Sequence, residues 1–348
     1  MYSLSDYDFT LPDGLIATHP SATRDTCRLM VLSRMNGALS HERFSGIAAH
    51  FRSGDILIVN DAKVIRARLS AKKKSGGSVE VLLLKKIDVF TWNVLTKGAA
   101  VQSGTTVTLP GGVTAEIVSA DNKVRTARFS EAITEKYLAE NGTIPLPPYI
   151  LKRRKDSGES VTAPGDNDDY QSVYARNTGS VAAPTAGLHF TETLLASLRE
   201  NGVQIYPLTL HVGYDTFTPM TGADIRQHHM HAESFIIPGD TAAAVIDAKR
   251  EHRRVIACGT TAVRVLESEY DASRNAFRRT SGETSIFIYP PYQFGCIDGM
   301  ITNFHTPRST LLAMVSAFAG YDHLRAAYHT AIAERYRFFS FGDAMFIS

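Results

Sequence analysis

The sequence predicts a mixed, largely parallel, barrel-like α/β domain into which a small antiparallel β-barrel is inserted. Three observations support this fold class. Residues up to about 65 contain short strand-like runs, and residues 66–148 contain closely spaced short strands separated by turn residues. From about residue 180 onward, strands alternate with helices, a pattern that is typical of parallel sheets.

The middle region, 66–148, is expected to be the inserted barrel, because several short strands at this spacing favour antiparallel closure. A helix over 131–141 is expected to close it, with Gly142 at its C-terminal end. The prolines of 145–148 interrupt regular structure, and the polar segment 152–169 predicts an exposed, disordered loop.

The first and third regions are expected to form one discontinuous domain, 1–65 with 149–348, because about 65 residues alone would build a poor core. Thr191 and Gly202 bracket a predicted helix over 192–200. A strand over 254–258 leads into a second helix, and a strand over 300–302 leads into a loop and a third.

Composition excludes several classes of protein. A net charge of +2 is too small for a globally basic nucleic-acid coat, although a local basic patch is compatible with it. Three scattered cysteines argue against a disulfide framework or a structural zinc site. The sequence has neither a signal-peptide pattern nor an apolar run long enough for a membrane span, which predicts a cytoplasmic protein without membrane contact.

Four predicted strand ends are rich in polar residues, and ligands bind beyond the carboxyl ends of strands in α/β sheets. These segments, with a fifth between elements, are 183–191, 211–217, 259–264, 303–310 and 230–233. Gly259 and Thr260 lie where a strand meets a helix start, which favours an anionic or hydroxyl-rich ligand. Ser309 is expected to cap a helix, and Arg308 is suited to clamping a carboxylate or phosphate.

The candidate acid–base groups in these segments are four histidines and one carboxylate: His189, His211, His231, His305 and Glu233. Any single one of these histidines is more often structural than catalytic, and a Gly-Thr-Thr turn is often only a helix cap. His228, His229 and His231 lie close together, but they lack the helical i, i+4 pair of zinc proteases, so no metal is expected. The concentration of such loops in one domain favours a functional site.

Other common sites are missing from the sequence. No G-x-G-x-x-G follows a strand, and neither a G-x-x-x-x-G-K-[ST] loop nor a G-x-S-x-G elbow occurs. Two basic clusters, at 72–74 with 85–86 and at 152–155, are either ordinary solvated surface or an RNA-facing patch.

The chain resembles the queuosine-pathway S-adenosylmethionine:tRNA ribosyltransferase-isomerases, the QueA family, along almost its whole length. The residues that carry the resemblance lie in the right order, and the most specific segments are 183–191, 211–217, 230–233, 259–264, 301–312 and 336–345. The resemblance implies an α/β domain with an inserted β-barrel, in agreement with the pattern of the residues.

The resemblance also implies a reaction. The ribosyl part of S-adenosylmethionine is transferred to 7-aminomethyl-7-deazaguanine at the wobble position of a tRNA with a G-U-N anticodon, and adenine and methionine are released. The product is epoxyqueuosine-tRNA. S-adenosylmethionine is a substrate, no metal is required, and the family suggests a monomer.

This chemistry gives the candidate residues their expected roles. A base must take the proton next to the sulfonium, and the five acid–base candidates are expected to include it. The substrate-binding candidates are Thr185, Gly187, Thr216, Gly259, Thr260, Arg264, Asn303, Arg308 and Ser309. The RNA-binding candidates are Lys72, Lys73, Lys74, Arg153 and Arg154.

Two other interpretations remain open at this point. A different α/β enzyme acting on a nucleotide-like small molecule would explain the strand-end loops but not the basic clusters. A non-catalytic RNA-binding protein would explain the basic clusters but leave the loops unused.

Overall fold

A computed structural model describes residues 2–120, 123–213 and 219–348. The strands in the described part are, in chain order, β1 (Arg28–Leu32), β2 (Leu39–Arg43), β3 (Ile56–Asn60), β4 (Ala62–Val64), β5 (Arg68–Lys73), β6 (Ser78–Lys86), β7 (Thr91–Gly98), β8 (Thr106–Thr108), β9 (Thr114–Ser119), β10 (Arg125–Phe129), β11 (Asn177–Ser180), β12 (Gln204–Leu210), β13 (Glu233–Ile236), β14 (Val255–Cys258), β15 (Tyr270–Asp271), β16 (Ala276–Phe277), β17 (Ser281–Thr284), β18 (Gly299–Asn303) and β19 (Ala344–Ile347). The α-helices there are α1 (Glu135–Asn141), α2 (Pro148–Asp156), α3 (Asp166–Asp169), α4 (Glu192–Glu200), α5 (Gly239–Arg250), α6 (Thr260–Glu269), α7 (Thr310–Ala319) and α8 (Tyr321–Ala333).

The predicted fold class is confirmed: a mixed α/β sheet is combined with a closed antiparallel barrel. The large sheet has nine strands in the order β17-β13-β12-β3-β14-β18-β19-β1-β2. Four central neighbours in this order, β12, β3, β14 and β18, are parallel to one another. Of these, β3, β14 and β18 are almost continuously apolar and buried, as expected where a sheet is covered on both faces.

Strands β5 to β10 form the closed barrel, in the order β10-β7-β6-β5-β8-β9. Its interior is a separate apolar core that includes Val81, Trp92, Val94 and Ile117. All six strands lie inside the predicted interval 66–148, whereas β1, β2 and β3 join the large sheet with strands from the C-terminal half. The two domain boundaries themselves stay a prediction.

Helix ends follow the capping residues that the sequence offered. The Thr191 hydroxyl accepts a hydrogen bond from the N–H of Leu194 (3.1 Å), and α4 has the predicted bounds. Ser309 caps α7 in the same way, through the N–H of Leu312 (3.2 Å). Helix α1 starts later than predicted, because Thr134 caps it.

The prediction of an exposed, disordered loop over 152–169 is correct in part: residues 157–165 form a mostly exposed loop, but both ends of the segment are helical and ordered. Pro148 occupies the first turn of α2, where a missing N–H costs nothing, and α3 follows further along this segment. Arg154 is fully buried, and its guanidinium donates to both carboxylate oxygens of Asp166 at 2.8 Å and to the carbonyl of Thr18 at 3.0 Å. The assignment of Arg154 to RNA is thereby corrected, because its guanidinium is paired with Asp166 inside the fold and does not face solvent.

Replacing Arg154 with methionine is expected to destabilise the protein by about 3–5 kcal/mol, because Asp166 is left as a buried charge without its partner. The control is Lys155→Met, since Lys155 lies on the same helix and is exposed. Urea unfolding would measure both free energies. Equal stability of the two variants would contradict a structural role for the buried pair.

A candidate active site between the sheet edge and the barrel

The carboxyl ends of the four parallel strands meet at one edge of the large sheet, and two cavities lie there. The larger, of about 750 Å³, is bounded by this edge on one side and by the barrel on the other. The smaller, of about 60 Å³, lies beside the first turn of α6. Val212 and Leu311 line both cavities, so the two are neighbours.

Four of the predicted site residues line the larger cavity on its α/β side: His211, His231, Glu233 and Arg264. They come from different elements. His211 follows β12, whereas Glu233 begins the neighbouring antiparallel strand β13, so the end of one strand lies beside the start of the other. Arg264 is on α6, which follows β14. The topology thus brings together residues that lie up to 53 positions apart in the sequence, from 211 to 264.

Glu233 and Arg264 form a buried ion pair in the wall of this cavity. The Glu233 carboxylate also accepts a hydrogen bond from the N–H of Gly213 at 2.8 Å. Arg264 donates in addition to the carbonyl of Thr284 (3.5 Å) on the strand next to β13. Because both charges are desolvated and held by several elements, the carboxylate has a fixed position rather than a mobile one.

His211 is held on two sides. Its backbone N–H donates to the carbonyl of Ser234 (3.0 Å). Gly179 of β11 packs against the ring so closely that a Cβ there would lie 3.0 Å from Cε1 of His211. Burial lowers the pKa of His211, and the charge of Asp61 opposes this in part. Among the described residues, Nδ1 of His211 is buried and has no hydrogen-bond partner. A neutral imidazole with a free ring nitrogen suits a proton acceptor.

Asp61, Trp92 and Gly179 are features of this site that sequence reasoning missed. Asp61 follows the buried strand β3 and accepts hydrogen bonds from Asn177 (3.0 and 3.1 Å) and Thr209 (2.6 Å). Its position directly after a central strand was a usable signal, since the other strand-end loops were found in that way. Nothing in the local sequence indicates that Trp92 of the barrel lines the same cavity.

The smaller cavity is lined by four other predicted binding residues and by one of the acid–base candidates: Thr185, Gly259, Thr260 and Asn303, with His305. The Thr185 hydroxyl donates to Oδ1 of Asn303 at 3.1 Å. Nε2 of His305 hydrogen-bonds the Thr302 hydroxyl at 2.7 Å, and desolvation lowers the pKa of His305 to about 3. The polar groups of this cavity, hydroxyls, an amide and a neutral imidazole, are therefore uncharged at neutral pH, and they lie within a mostly apolar lining.

His189 lies behind this wall, in neither cavity. Its ring is within hydrogen-bond distance of Cys27 (3.2 Å) and of the Asn303 side-chain amide (3.0 Å). Burial lowers the pKa of His189 to about 3, and the positive charges of Arg337 and Arg24 add to that shift. His189 is thus a neutral, buried residue whose hydrogen bond orients the side chain of Asn303.

Three predicted binding residues lie outside both cavities. Gly187 packs against Tyr174, and a Cβ there would lie 2.1 Å from the tyrosine hydroxyl. Arg308 is exposed and paired with Asp8, and Ser309 caps α7. Thr216 lies outside the described residues.

The remaining predicted RNA contacts lie at the surface. Lys72 and Lys74 are exposed at the β5–β6 turn, where Lys73 donates to the carbonyl of Ala100 at 2.8 Å. Arg153 is partly exposed on α2. The structure does not bring these residues to either cavity.

Comparison with known proteins identifies the family. The chain matches the family described as queuosine biosynthesis protein over residues 4–347. The chain belongs to this family.

Named relatives share nearly the whole length. An S-adenosylmethionine:tRNA ribosyltransferase-isomerase of Syntrophotalea carbinolica is 46% identical over 349 residues, 99% of each chain. The protein of the same name from Thermosipho africanus is 46% identical over 346 residues, again 99% of each. A crystal structure of S-adenosylmethionine tRNA ribosyltransferase from Thermotoga maritima is 32% identical, with a TM-score of 0.55, and the match covers 99% of this chain and 100% of that one.

Two kinds of feature are absent from the described residues. Within 2–120, 123–213 and 219–348, no group of three or more His, Cys, Asp or Glu side chains is arranged to hold a metal ion. No helix in these ranges combines the length and apolar character needed to cross a membrane. The expectation that no metal takes part stays a prediction.

Replacing His189 with glutamine is expected to weaken the acid sensitivity of folding. Because the pKa of His189 is lowered to about 3 from 6.5, the unfolded chain takes up a proton below about pH 6.5 that the folded chain does not. The contribution of a neutral His189 to stability is therefore fully present above the pKa of the unfolded chain, 6.5, and is lost as the pH falls towards the pKa of the folded chain, about 3. Between roughly pH 6 and 4, the wild type should lose about 1.4 kcal/mol per pH unit more than the variant.

Urea unfolding at a series of pH values would measure this difference. His252→Gln is the control, because His252 is exposed. Parallel pH profiles for the wild type and His189→Gln would contradict a neutral buried His189.

Proposed function

We propose that this chain is an S-adenosylmethionine:tRNA ribosyltransferase-isomerase. It transfers and isomerises the ribosyl moiety of S-adenosylmethionine onto 7-aminomethyl-7-deazaguanine at the wobble position of tRNAs with a G-U-N anticodon. The products are epoxyqueuosine-tRNA, adenine and methionine. The relatives that carry this enzyme name match the chain from end to end, which supports the assignment.

One observation carries the proposal at the level of chemistry. The larger cavity has acid–base groups on one wall and a basic, aromatic wall on the other, the latter supplied by Lys85, Lys86 and Trp92 of the barrel. A reaction between a small cationic nucleoside and an RNA base requires both kinds of wall. The volume of about 750 Å³ suits a drug-sized ligand, with space for a base beside it.

In the proposed mechanism, His211 takes the proton from C5′ of the ribose, next to the sulfonium. Its imidazole is neutral at physiological pH and is held in place by Gly179 and the backbone of Ser234. The fixed carboxylate of Glu233 stabilises the sulfonium and, later, the attacking amine. His231, in the same wall, relays a proton to or from that amine.

The smaller cavity is proposed to bind the uncharged polar parts of the donor nucleoside. Thr185, Thr260 and Asn303 supply hydroxyl and amide groups that match ribose hydroxyls and adenine nitrogens. Gly259 lets the start of α6 approach the ligand closely, because it adopts a positive φ of 88°. His305 supports this wall through Thr302 and, with its pKa lowered to about 3, stays neutral during turnover.

The tRNA is proposed to contact, through its phosphates, the exposed Lys72 and Lys74 and the partly exposed Lys73 and Arg153, which predicts a salt-dependent affinity. We propose that the enzyme works as a cytoplasmic monomer without a metal.

One assay separates this proposal from its two rivals: release of adenine from S-adenosylmethionine, measured with and without tRNA that carries the aminomethyl base. The proposal expects release only with that tRNA. Release without tRNA would favour an enzyme acting on a nucleotide-like small molecule. Tight tRNA binding without any release would favour a non-catalytic RNA-binding protein.

Replacing His211 with alanine is expected to lower kcat for adenine release by about 10²–10⁴-fold, the range for loss of a general base. His305→Ala should lower kcat much less, because the neutral His305 supports the wall rather than moving a proton. Circular dichroism would show that both variants are folded. If His211→Ala kept wild-type turnover, or if His305→Ala lost as much as His211→Ala, the assigned roles would be wrong.

A further inference from the structure

The turn between β6 and β7, residues 85–91, carries an unusual concentration of exposed apolar side chains; we call it the hairpin tip. Ile87 and Val89 are each 54% exposed, and Phe90 is 42% exposed. Elsewhere in the barrel, the apolar residues of the same two strands are mostly buried in its core. An exposed apolar patch of this kind usually marks a binding surface.

The hairpin tip has a defined conformation. Oδ1 of Asp88 accepts hydrogen bonds from the N–H groups of Phe90 (2.8 Å) and Thr91 (2.9 Å). The hydrogen bond from Phe90 lowers the pKa of Asp88, and Arg128 contributes a smaller effect in the same direction. The carbonyl of Phe90 in turn accepts from the N–H of Phe129 on β10 (2.8 Å). The exposed apolar side chains are therefore carried by a turn whose backbone is fixed by hydrogen bonds.

Positive charge surrounds these side chains. Lys85 and Lys86 begin the tip, and Arg128 lies opposite Thr91 in the β7–β10 pair. Nζ of Lys86 lies 5.9 Å from the centre of the Trp92 ring. Lys86 and Arg128 are both exposed. The one acidic residue of the tip, Asp88, accepts hydrogen bonds from backbone N–H groups of the turn.

The hairpin tip lies at the mouth of the larger cavity. Lys85, Lys86 and Trp92 line that cavity together with the acid–base wall. Lys85 also donates to Glu283 of β17 at 2.9 Å, across the opening between the barrel and the large sheet. A substrate that reaches the cavity from the barrel side therefore passes the tip.

We propose that the hairpin tip binds the unpaired nucleotides of the tRNA anticodon loop that flank the base entering the cavity. The inference rests on the proposed function and extends it to a surface that the reaction itself does not require. Bases that are not stacked on one another bind aromatic and aliphatic side chains, while neighbouring lysines and arginines contact the phosphates. Phe90 with Lys86 and Arg128 provides this combination.

The lysines at 72–74 have a different relation to the cavity. They precede the start of β6, whereas Lys85 and Lys86 are at its end, so that eight residue steps of extended strand, about 26 Å, separate Ser78 from Lys86. The anticodon loop can reach the tip while the phosphates of its stem lie nearer 72–74. The tip should therefore recognise unpaired bases, and 72–74 should contribute charge alone.

The test compares Phe90→Ala and Lys86→Gln with two controls. Met35→Ala removes a side chain that is 92% exposed on the β1–β2 turn, at the other end of the large sheet. Lys97→Gln removes an exposed charge from the far end of β7. The ligands are the full tRNA and an anticodon stem-loop RNA, and fluorescence anisotropy gives their Kd without turnover.

Phe90→Ala is expected to raise Kd for the stem-loop, and KM for the tRNA, by about fivefold or more, the lower end for loss of one base–aromatic stack. Lys86→Gln should reduce the slope of log K against log salt by about 1. KM for S-adenosylmethionine should not change in Phe90→Ala, because Phe90 lines neither cavity. Neither control should alter Kd by more than about twofold, the scatter for surface substitutions.

Equal Kd values for Phe90→Ala and the wild type would overturn the inference, as would an equal loss in Met35→Ala. The inference would also be overturned if the tip variants lost binding to anionic lipid vesicles or to a second copy of the chain but kept wild-type affinity for RNA. A wild type that binds the stem-loop through the tip but releases no adenine would refute the proposed function and support this inference. A wild type that binds no RNA would refute this inference.

Discussion

The parallel pairing of β12, β3, β14 and β18 is the constraint on which the site depends. Parallel strands end at the same edge, so residues after four separate strands converge without any loop having to be long. Asn60, buried at the end of β3, reinforces this register. Its side-chain oxygen accepts from the N–H of Leu210 (3.1 Å), and its amide donates to the Leu210 carbonyl (3.0 Å) and to Thr261 of α6 (3.1 Å). One buried amide thus ties two strands and a helix together at the site.

The insertion point of the barrel explains why the cavity has two walls. The chain leaves β3 at the carboxyl edge, forms β4, enters the barrel, and returns through β11, which pairs with β4 in parallel. The N–H of Ile65 donates to the Ser180 carbonyl (2.9 Å) where these two connections meet. The barrel is therefore attached at the edge that carries the strand-end loops. Gly179, which packs on His211, belongs to the returning connection, so the joint between the domains is also part of the site.

Much of the fold could be predicted from local pattern, because its signals are local. Thr191 and Ser309 cap helices within their own turns, and the strand-end loops follow apolar runs. The errors concern long-range contacts. Arg154 stands in a basic run that reads as solvated, yet Thr18, 136 residues away in the sequence, accepts one of its hydrogen bonds inside the fold. Trp92 reads as a barrel core residue, and only the packing of the barrel on the sheet edge makes it line a cavity.

The same limit applies to the histidines, which the sequence presented as equivalent. A histidine that moves protons at neutral pH needs a pKa near 7 or a partner that adjusts it. Burial lowers the pKa of His189 and of His305 to about 3, and each ring is already hydrogen-bonded to a wall residue. Burial also lowers the pKa of His211, but this residue lines the larger cavity, and its Nδ1 has no hydrogen-bond partner among the described residues. The position of each ring in the folded chain, which the sequence does not reveal, therefore distinguishes two histidines that support a wall from one that is suited to act in the cavity.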